Sequence, residues 1–245
     1  MSTLLMRFVA PMQAWGVGSK FNRRDTQREP TKSAVIGLIA AALGLPRDSE
    51  RIAQLGASLR FGLRVDQEGS LLDDLHMAHE PEFWEGVRLR KAQVSYNKYS
   101  HMTYHSYLTD AKFLVGLQGE SELLDEISQA LSSPAFPLFL GRRSCPPEGS
   151  LYLGVRSGVP LEEALEAEPP LCKSKQRFLR IQTDAAQGSP NAWLQRDQPL
   201  SFDQRKREHG FRAVIERRLS ASPERGDMKG SEPPTRHDAW MELEV

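Results

Sequence analysis

Thr3-Leu4-Leu5-Met6-Arg7-Phe8-Val9 is an apolar run broken only by Thr3 and Arg7, and it stops at Ala10-Pro11. A loosely alternating run closed by a proline reads as a core strand that starts almost at the first residue. Outward from it, a polar stretch at 16–30 carrying Lys20, Arg23, Arg24 and Arg28 leads into a helix-like run at 33–43, which Gly44 and Pro46 close. Apolar residues lie on every side of that helix, so it is expected to be buried. Residues 50–58 continue as a second helical piece. Leu59, Phe61, Leu63 and Val65 then alternate with the period of two that marks a strand, and 66–70 reads as a hairpin turn into 71–77.

A strand at 111–117, an amphipathic helix at 121–131 with Leu123, Leu124, Ile127 and Leu131 on one side, and a short apolar run at 136–140 complete the first part. This order suits an α+β chain: a ferredoxin-like (RRM-like) βαββαβ domain with an inserted thumb-like hairpin and a β-rich C-terminal part. The hairpin is placed at about 79–105, where regular periodicity fades and Phe83, Trp84, Tyr96, Tyr99 and Tyr104 interleave with basic residues. Past Gly154 come an acidic helix at 161–168, a Pro169-Pro170 break, strands near 177–182 and 211–219, and an apolar patch at 240–245. The Gly-, Pro- and Ser-rich stretches at 185–199 and 220–236 read as loops. The domain division that follows is 1–154, a ferredoxin-like domain with the hairpin inserted at about 79–105, and 155–245, a smaller C-terminal β-rich region packed on it.

Lys plus Arg and Asp plus Glu number 32 each, so no global positive field draws a polyanion. The charge is nevertheless segregated. Residues 66–85 hold seven carboxylates and no Lys or Arg, whereas 88–112 hold five Lys or Arg against Asp110 alone. Such blocks suit a protein that turns one face to a polyanion and others to proteins; they also arise as solvated faces that alternate. The longest apolar run, 34–43, is too short to span a bilayer, and the first residues lack a basic segment ahead of an apolar one, so a cytoplasmic protein without a membrane role is expected. Cys145 and Cys172 form no Cys-x-x-Cys pair and read as reduced thiols.

Three segments carry chemistry. Pro30-Thr31-Lys32-Ser33 enters the first helix, so Thr31 or Ser33 can cap it while the free N–H groups of the first turn, beside Lys32, favour a phosphate; many capped helices with a nearby lysine bind nothing. Gly141-Arg142-Arg143-Ser144-Cys145-Pro146 places two guanidinium groups on a tight turn, an arrangement suited to phosphate oxygens and equally to a solvated surface turn. Met12-Gln13-Ala14-Trp15-Gly16 offers an indole to stack on a base and an amide to bond its edge, or a tryptophan for the core. The histidines give no metal constellation, since His76 and His79, or His101 and His105, supply only fragments of a ligand set. His105, Tyr104 and Lys98 could supply the acid and base of metal-independent RNA cleavage, although no spacing singles them out. No P-loop, dinucleotide fingerprint, Gly-x-Ser-x-Gly or His-Glu-x-x-His motif occurs, and no cofactor is expected.

The segments 5–16, 30–38 and 140–146, together with Tyr107-Leu108-Thr109-Asp110-Ala111-Lys112-Phe113 and the pair Asp74 and His76, resemble the CasD family of type I-E CRISPR Cascade complexes, a branch of the RAMP superfamily. The resemblance covers about residues 4–154. It implies a non-catalytic subunit that binds and caps the 5′ handle of the CRISPR RNA, contacts the backbone subunit (CasC) and the large subunit (CasA), and meets target DNA through the complex. A type I-C relative cleaves precursor RNA, whereas in type I-E a separate endonuclease does so; an endoribonuclease acting on repeat RNA is therefore the alternative. The residues expected to touch RNA are Gln13, Trp15, Lys20, Arg24, Arg28, Lys32, Ser33, His76, His105, Arg142, Arg143 and Ser144.

Overall fold

A computed structural model of the chain describes residues 1–16, 22–78, 101–172, 178–203 and 205–220. Along the chain run strands β1 (Ser2–Val9), β2 (Met12–Gln13) and β3 (Arg23–Arg24), helices α1 (Lys32–Ala42) and α2 (Arg51–Ser58), and strands β4 (Arg60–Gln67), β5 (Ser70–Ala78), β6 (His101–Thr109) and β7 (Lys112–Gly119). Helix α3 (Ser121–Ser132), strand β8 (Tyr152–Arg156), helix α4 (Leu161–Ala167) and strands β9 (Phe178–Ala185), β10 (Trp193–Ser201) and β11 (Glu208–Ser220) follow. The architecture is α+β. Its main sheet is antiparallel throughout, in the order β10-β11-β9-β4-β7-β1-β8, and a smaller sheet runs β2-β6-β3 with β5 beside β6.

β1 is apolar on both sides because it is covered on both sides. Leu4, Met6 and Phe8 join the core under α1, α2 and α3, while Leu5 joins Leu114, Ile181 and the α4 residues Leu161 and Leu165 on the opposite face. The alternating Phe61, Leu63 and Val65 of β4 all point to the first of these cores. On the other face Gly62 and Gly116 stand opposite each other, and a Cβ on either would come within 2.8 or 2.6 Å of the α4 leucines. Their missing side chains let the short helix lie close on the sheet. The buried Arg64 fastens what comes after α4: paired with Asp66 at 2.6 Å, it also donates to the carbonyls of Leu165, Glu168 and Pro169. A buried guanidinium is tolerable only when its donors are matched in this way.

Four expectations change. Residues 66–70 are no hairpin turn: β4 pairs with β7 and β5 with β6, so 60–78 run antiparallel to 101–119 as one long hairpin, bent where Asp110 takes a left-handed φ of 58°. The Gln67 amide donates to the Asp110 carbonyl at 2.6 Å and holds the bend. β5 and β6 thus form the base of the expected hairpin, whose 79–100 stretch lies outside the described residues, as do 221–245. The 136–140 run is not a strand. Its backbone is taken up by a tight turn in which the Leu140 N–H bonds the Cys145 carbonyl, and β8 fills the sheet position beside β1 instead. Residues 193–201, expected as part of a loop, form the edge strand β10; Pro199 is tolerated there because the ladder to β11 is irregular around it. Finally, β9 pairs directly with β4, so strands from 155–245 extend the main sheet. No helix among the described residues is long and apolar enough to cross a membrane.

Candidate nucleic-acid interface

The chemistry-bearing segments, far apart in sequence, meet in space. Gly141, at φ +92°, lies so close to the 12–15 segment that a Cβ would sit 1.6 Å from the Ala14 carbonyl oxygen, and the Ala14 N–H bonds the Leu140 carbonyl at 3.1 Å. Only glycine combines that φ with that approach. The same junction buries Gln13 and Trp15, the two residues expected to contact a base. Gln13 is 0% and Trp15 1% exposed. The indole stacks on Phe8 with centroids 5.5 Å apart and donates to Gln13 Oε1, while the Gln13 amide donates to the carbonyls of Ala111 and Phe8. Every polar atom of the pair is occupied inside the core, so neither has a face or an edge to offer a nucleotide as folded.

Lys32 and Ser33 are also buried, and the first turn of α1 already holds its anion. Thr31 Oγ1 caps the Ala34 N–H, and the Lys32 N–H donates to Asp197 Oδ2 at 2.9 Å. The Lys32 ammonium pairs with Asp184 at 2.9 Å, and Arg212 bridges the two carboxylates, at 2.6 Å to Asp184 and 2.6 Å to Asp197. Burial works against the charge of Arg212, yet its bonds to Asp197 and the charges of Asp197 and Asp184 hold its pKa above the usual arginine value. The helix terminus does attract a carboxylate, as its dipole requires, but the carboxylate comes from β10 of the same chain.

A different surface stays open. β3 pairs with β6 so that Arg24 stands beside His105, and β5 places Asp74 opposite His105 with His76 two residues on. The imidazoles of His76 and His105 stack with centroids 4.0 Å apart, and His76 Nε2 bonds Asp74 at 2.6 Å. Partial burial, and after it the charges of His76, Arg142 and Arg24, push the pKa of His105 below the usual histidine value, with Asp74 opposing them. Arg142 ties β3 to β6 of the smaller sheet: its guanidinium donates to the carbonyls of Ser106 and Arg24 and lies over the Tyr107 ring at 4.8 Å. Ser144 Oγ donates to the Tyr107 hydroxyl at 3.4 Å. Arg143 and the Arg24 side chain are exposed and make no hydrogen bond or ion pair among the described residues. Arg24, His76, His105, Arg142 and Ser144 are therefore joined by contacts around β3 and β6, with Arg142 as a brace, and Arg143 follows Arg142 on the same loop. Lys20 lies outside the described residues.

Arg28 is exposed but apart from this cluster, on the rim of a cleft it shares with Trp193, Gln195 and Arg196 of β10. Sequence reasoning passed over β10 as loop; the available signal was an aromatic flanked by amide and arginine in Asn191-Ala192-Trp193-Leu194-Gln195-Arg196. Among the described residues no three His, Cys, Asp or Glu side chains converge as metal ligands would.

The chain is 34% identical over 181 residues to the CRISPR system Cascade subunit CasD of Escherichia coli (strain K12), covering 69% of this chain and 78% of that protein. Among solved structures, a chain of a CRISPR RNA-guided surveillance complex superposes with a TM-score of 0.72 at 30% identity, over 89% of this chain and 90% of that one. A crystal structure of a Cas protein gives 0.66 at 38% identity, over 89% and 95%. The family described as CRISPR-associated protein (Cas_Cas5) matches residues 3–215, and on that extent the chain belongs to the Cas5 family.

Proposed function

We propose that this chain is a non-catalytic, RNA-binding subunit of a type I-E CRISPR surveillance complex that holds the 5′ handle of the guide RNA. The observation that carries the reading is the open basic cluster at the base of the β5–β6 hairpin, where the side chains of Arg24 and Arg143 have no partner among the described residues and the stacked His76 and His105 stand beside Arg24. Free guanidinium groups on a braced loop neutralise phosphates without reading sequence. Within this proposal the four strands β4-β7-β1-β8 are the sheet of a ferredoxin-like domain, which their order and antiparallel pairing support. Residues 1–154 then carry the RNA, and 155–245 brace them through the shared sheet. The hairpin base and the outer strands are left to face the backbone subunit (CasC) and the large subunit (CasA), through which target DNA is met in the cytoplasm. Copurification of the tagged chain with a ribonucleoprotein whose RNA begins with repeat sequence tests the reading; recovery of the chain free of RNA and of other subunits would sink it.

A second reading, cleavage of repeat RNA, is favoured by one feature: His105, whose pKa partial burial and the neighbouring cations lower, stacks on a carboxylate-bonded His76, which is an arrangement able to take and give a proton. Incubation with repeat RNA in EDTA separates the two, since a single cut lost in His105→Ala would install the enzyme reading.

A further inference from the structure

The geometry points to a second RNA contact, a pocket for one unpaired nucleotide between the 27–31 segment and strands β9 and β10. This inference rests on the RNA-binding reading above. The cleft has a volume of about 400 Å³, within the general range for small-ligand sites of roughly 300–1,000 Å³. Its wall carries Trp193, 40% exposed, which is unusual for the largest apolar side chain at the edge of a sheet. Arg28 and Arg196, both exposed, line it together with the exposed Gln27, the half-buried Gln195 and the buried Gln182.

The carboxylates in the same cleft do not oppose an anion. Asp197 is bonded to Arg212 and to the α1 backbone, and Glu29 pairs with Arg180 at 2.6 Å. Arg28 has no partner among the described residues, and Arg196, which lies over the Phe211 ring at 5.9 Å, gives its Nε–H to the His209 carbonyl and keeps its terminal N–H groups unpaired among the described residues. The local charge available to a ligand is therefore positive. The amides are half committed in the same way. Gln182 and Gln195 each give an N–H to a carboxylate, at 3.1 and 3.3 Å, and their oxygens, like the whole Gln27 side chain, are unpaired among the described residues. An indole face, one free and one partly committed guanidinium group and unpaired amide edges are what a single nucleotide needs for stacking, phosphate neutralisation and edge bonding.

Position argues for the same ligand. Arg28 lies four residues beyond Arg24, whose carbonyl Arg142 holds, so the chain from the open basic cluster to the cleft spans at most about 14 Å. A single strand laid across Arg143 and Arg24 reaches the cleft by following 24–28.

The test is a titration of the full chain with a single-stranded repeat RNA and with a series of the same RNA carrying one abasic position each. Wild type is expected to lose about tenfold in affinity for one abasic position, in line with the energy of one base stacked on an aromatic side chain. Trp193→Ala is expected to lose about tenfold on the intact RNA and nothing further on that abasic RNA, because both changes remove the same contact. Trp193→Phe restores most of the affinity, and Arg28→Ala lowers the salt slope by about one. Equal affinity of Trp193→Ala and wild type for intact RNA, or an abasic loss that persists unchanged in Trp193→Ala, overturns the inference. Arg143→Ala, read in the same titrations, keeps the two proposals apart: a reduced slope there with an unaffected Trp193→Ala rejects the pocket alone, whereas no wild-type binding to repeat RNA rejects the RNA-binding reading and the pocket with it.

Discussion

The first turn of α1 and the 141–145 loop look alike in local chemistry, each joining an anion-favouring backbone to basic side chains, yet the fold treats them in opposite ways. At α1 the anion is internal. Asp197 and Asp184, brought in by β10 and β9, meet Lys32, Arg212 and the helix N–H groups in a buried cluster whose charges match. At the loop the backbone carbonyls of Ser106 and Arg24 absorb Arg142, and nothing in the described chain absorbs Arg143. A basic residue beside an anion-ready backbone thus marks a place where a negative group will be found, and whether that group belongs to the chain or to a ligand depends on what the rest of the fold delivers there.

The sharpest break of this comparison is Asp197→Ala. It leaves Lys32 and Arg212 to share one carboxylate in a buried site, and the loss of one partner from such a cluster costs roughly 3–5 kcal/mol. Urea unfolding should show the unfolding free energy fall by that amount, with a lower midpoint; a variant as stable as wild type would mean that this cluster does not hold the α1 turn in place. Arg142→Ala comes next. Its two charged bonds to carbonyls predict about 1.5–3 kcal/mol of destabilisation, with weaker RNA binding as a consequence of a loosened loop. A variant as stable as wild type would make Arg142 a direct phosphate ligand rather than a brace.

Arg143→Ala is the opposite case. Stability should move by less than about 0.5 kcal/mol, and the slope of log affinity against log salt should drop by about one, uniformly across RNA sequences. An unchanged slope would assign Arg143 to a protein partner. The smallest effect is that of pH. His105 titrates below the ordinary histidine range in the free chain, and a bound phosphate raises its pKa, so the complex holds more protons than the free protein as pH falls from 7.5 towards 5.5. RNA affinity should therefore rise modestly over that window, and His105→Gln should flatten the rise. In the free chain the sign reverses: the unfolded state takes up the proton first, so stability falls as pH drops below about 6.5, the unfolded histidine value.

Much of the frame was legible locally. The apolar run of β1, the alternation of β4, the all-round apolar α1 and the one-sided α3 each carry their period within a dozen residues, and each formed as read. Glycine and two arginines at 141–143 likewise announced a tight basic turn. The misreadings share one cause, which is that the deciding partner lies far along the chain. Trp15 is closed off by Phe8 and by the turn at Leu140, the hairpin bends at Asp110, and β10 becomes a strand only because β11 pairs with it. Asp197 reaches the Lys32 backbone across 165 residues. By itself the sequence determined which segments are apolar on which side and where cations concentrate, because period and composition are local properties. The tertiary structure alone decided which of those cations remain unpaired, because an ion's partner is set by what the folded chain brings within hydrogen-bonding distance.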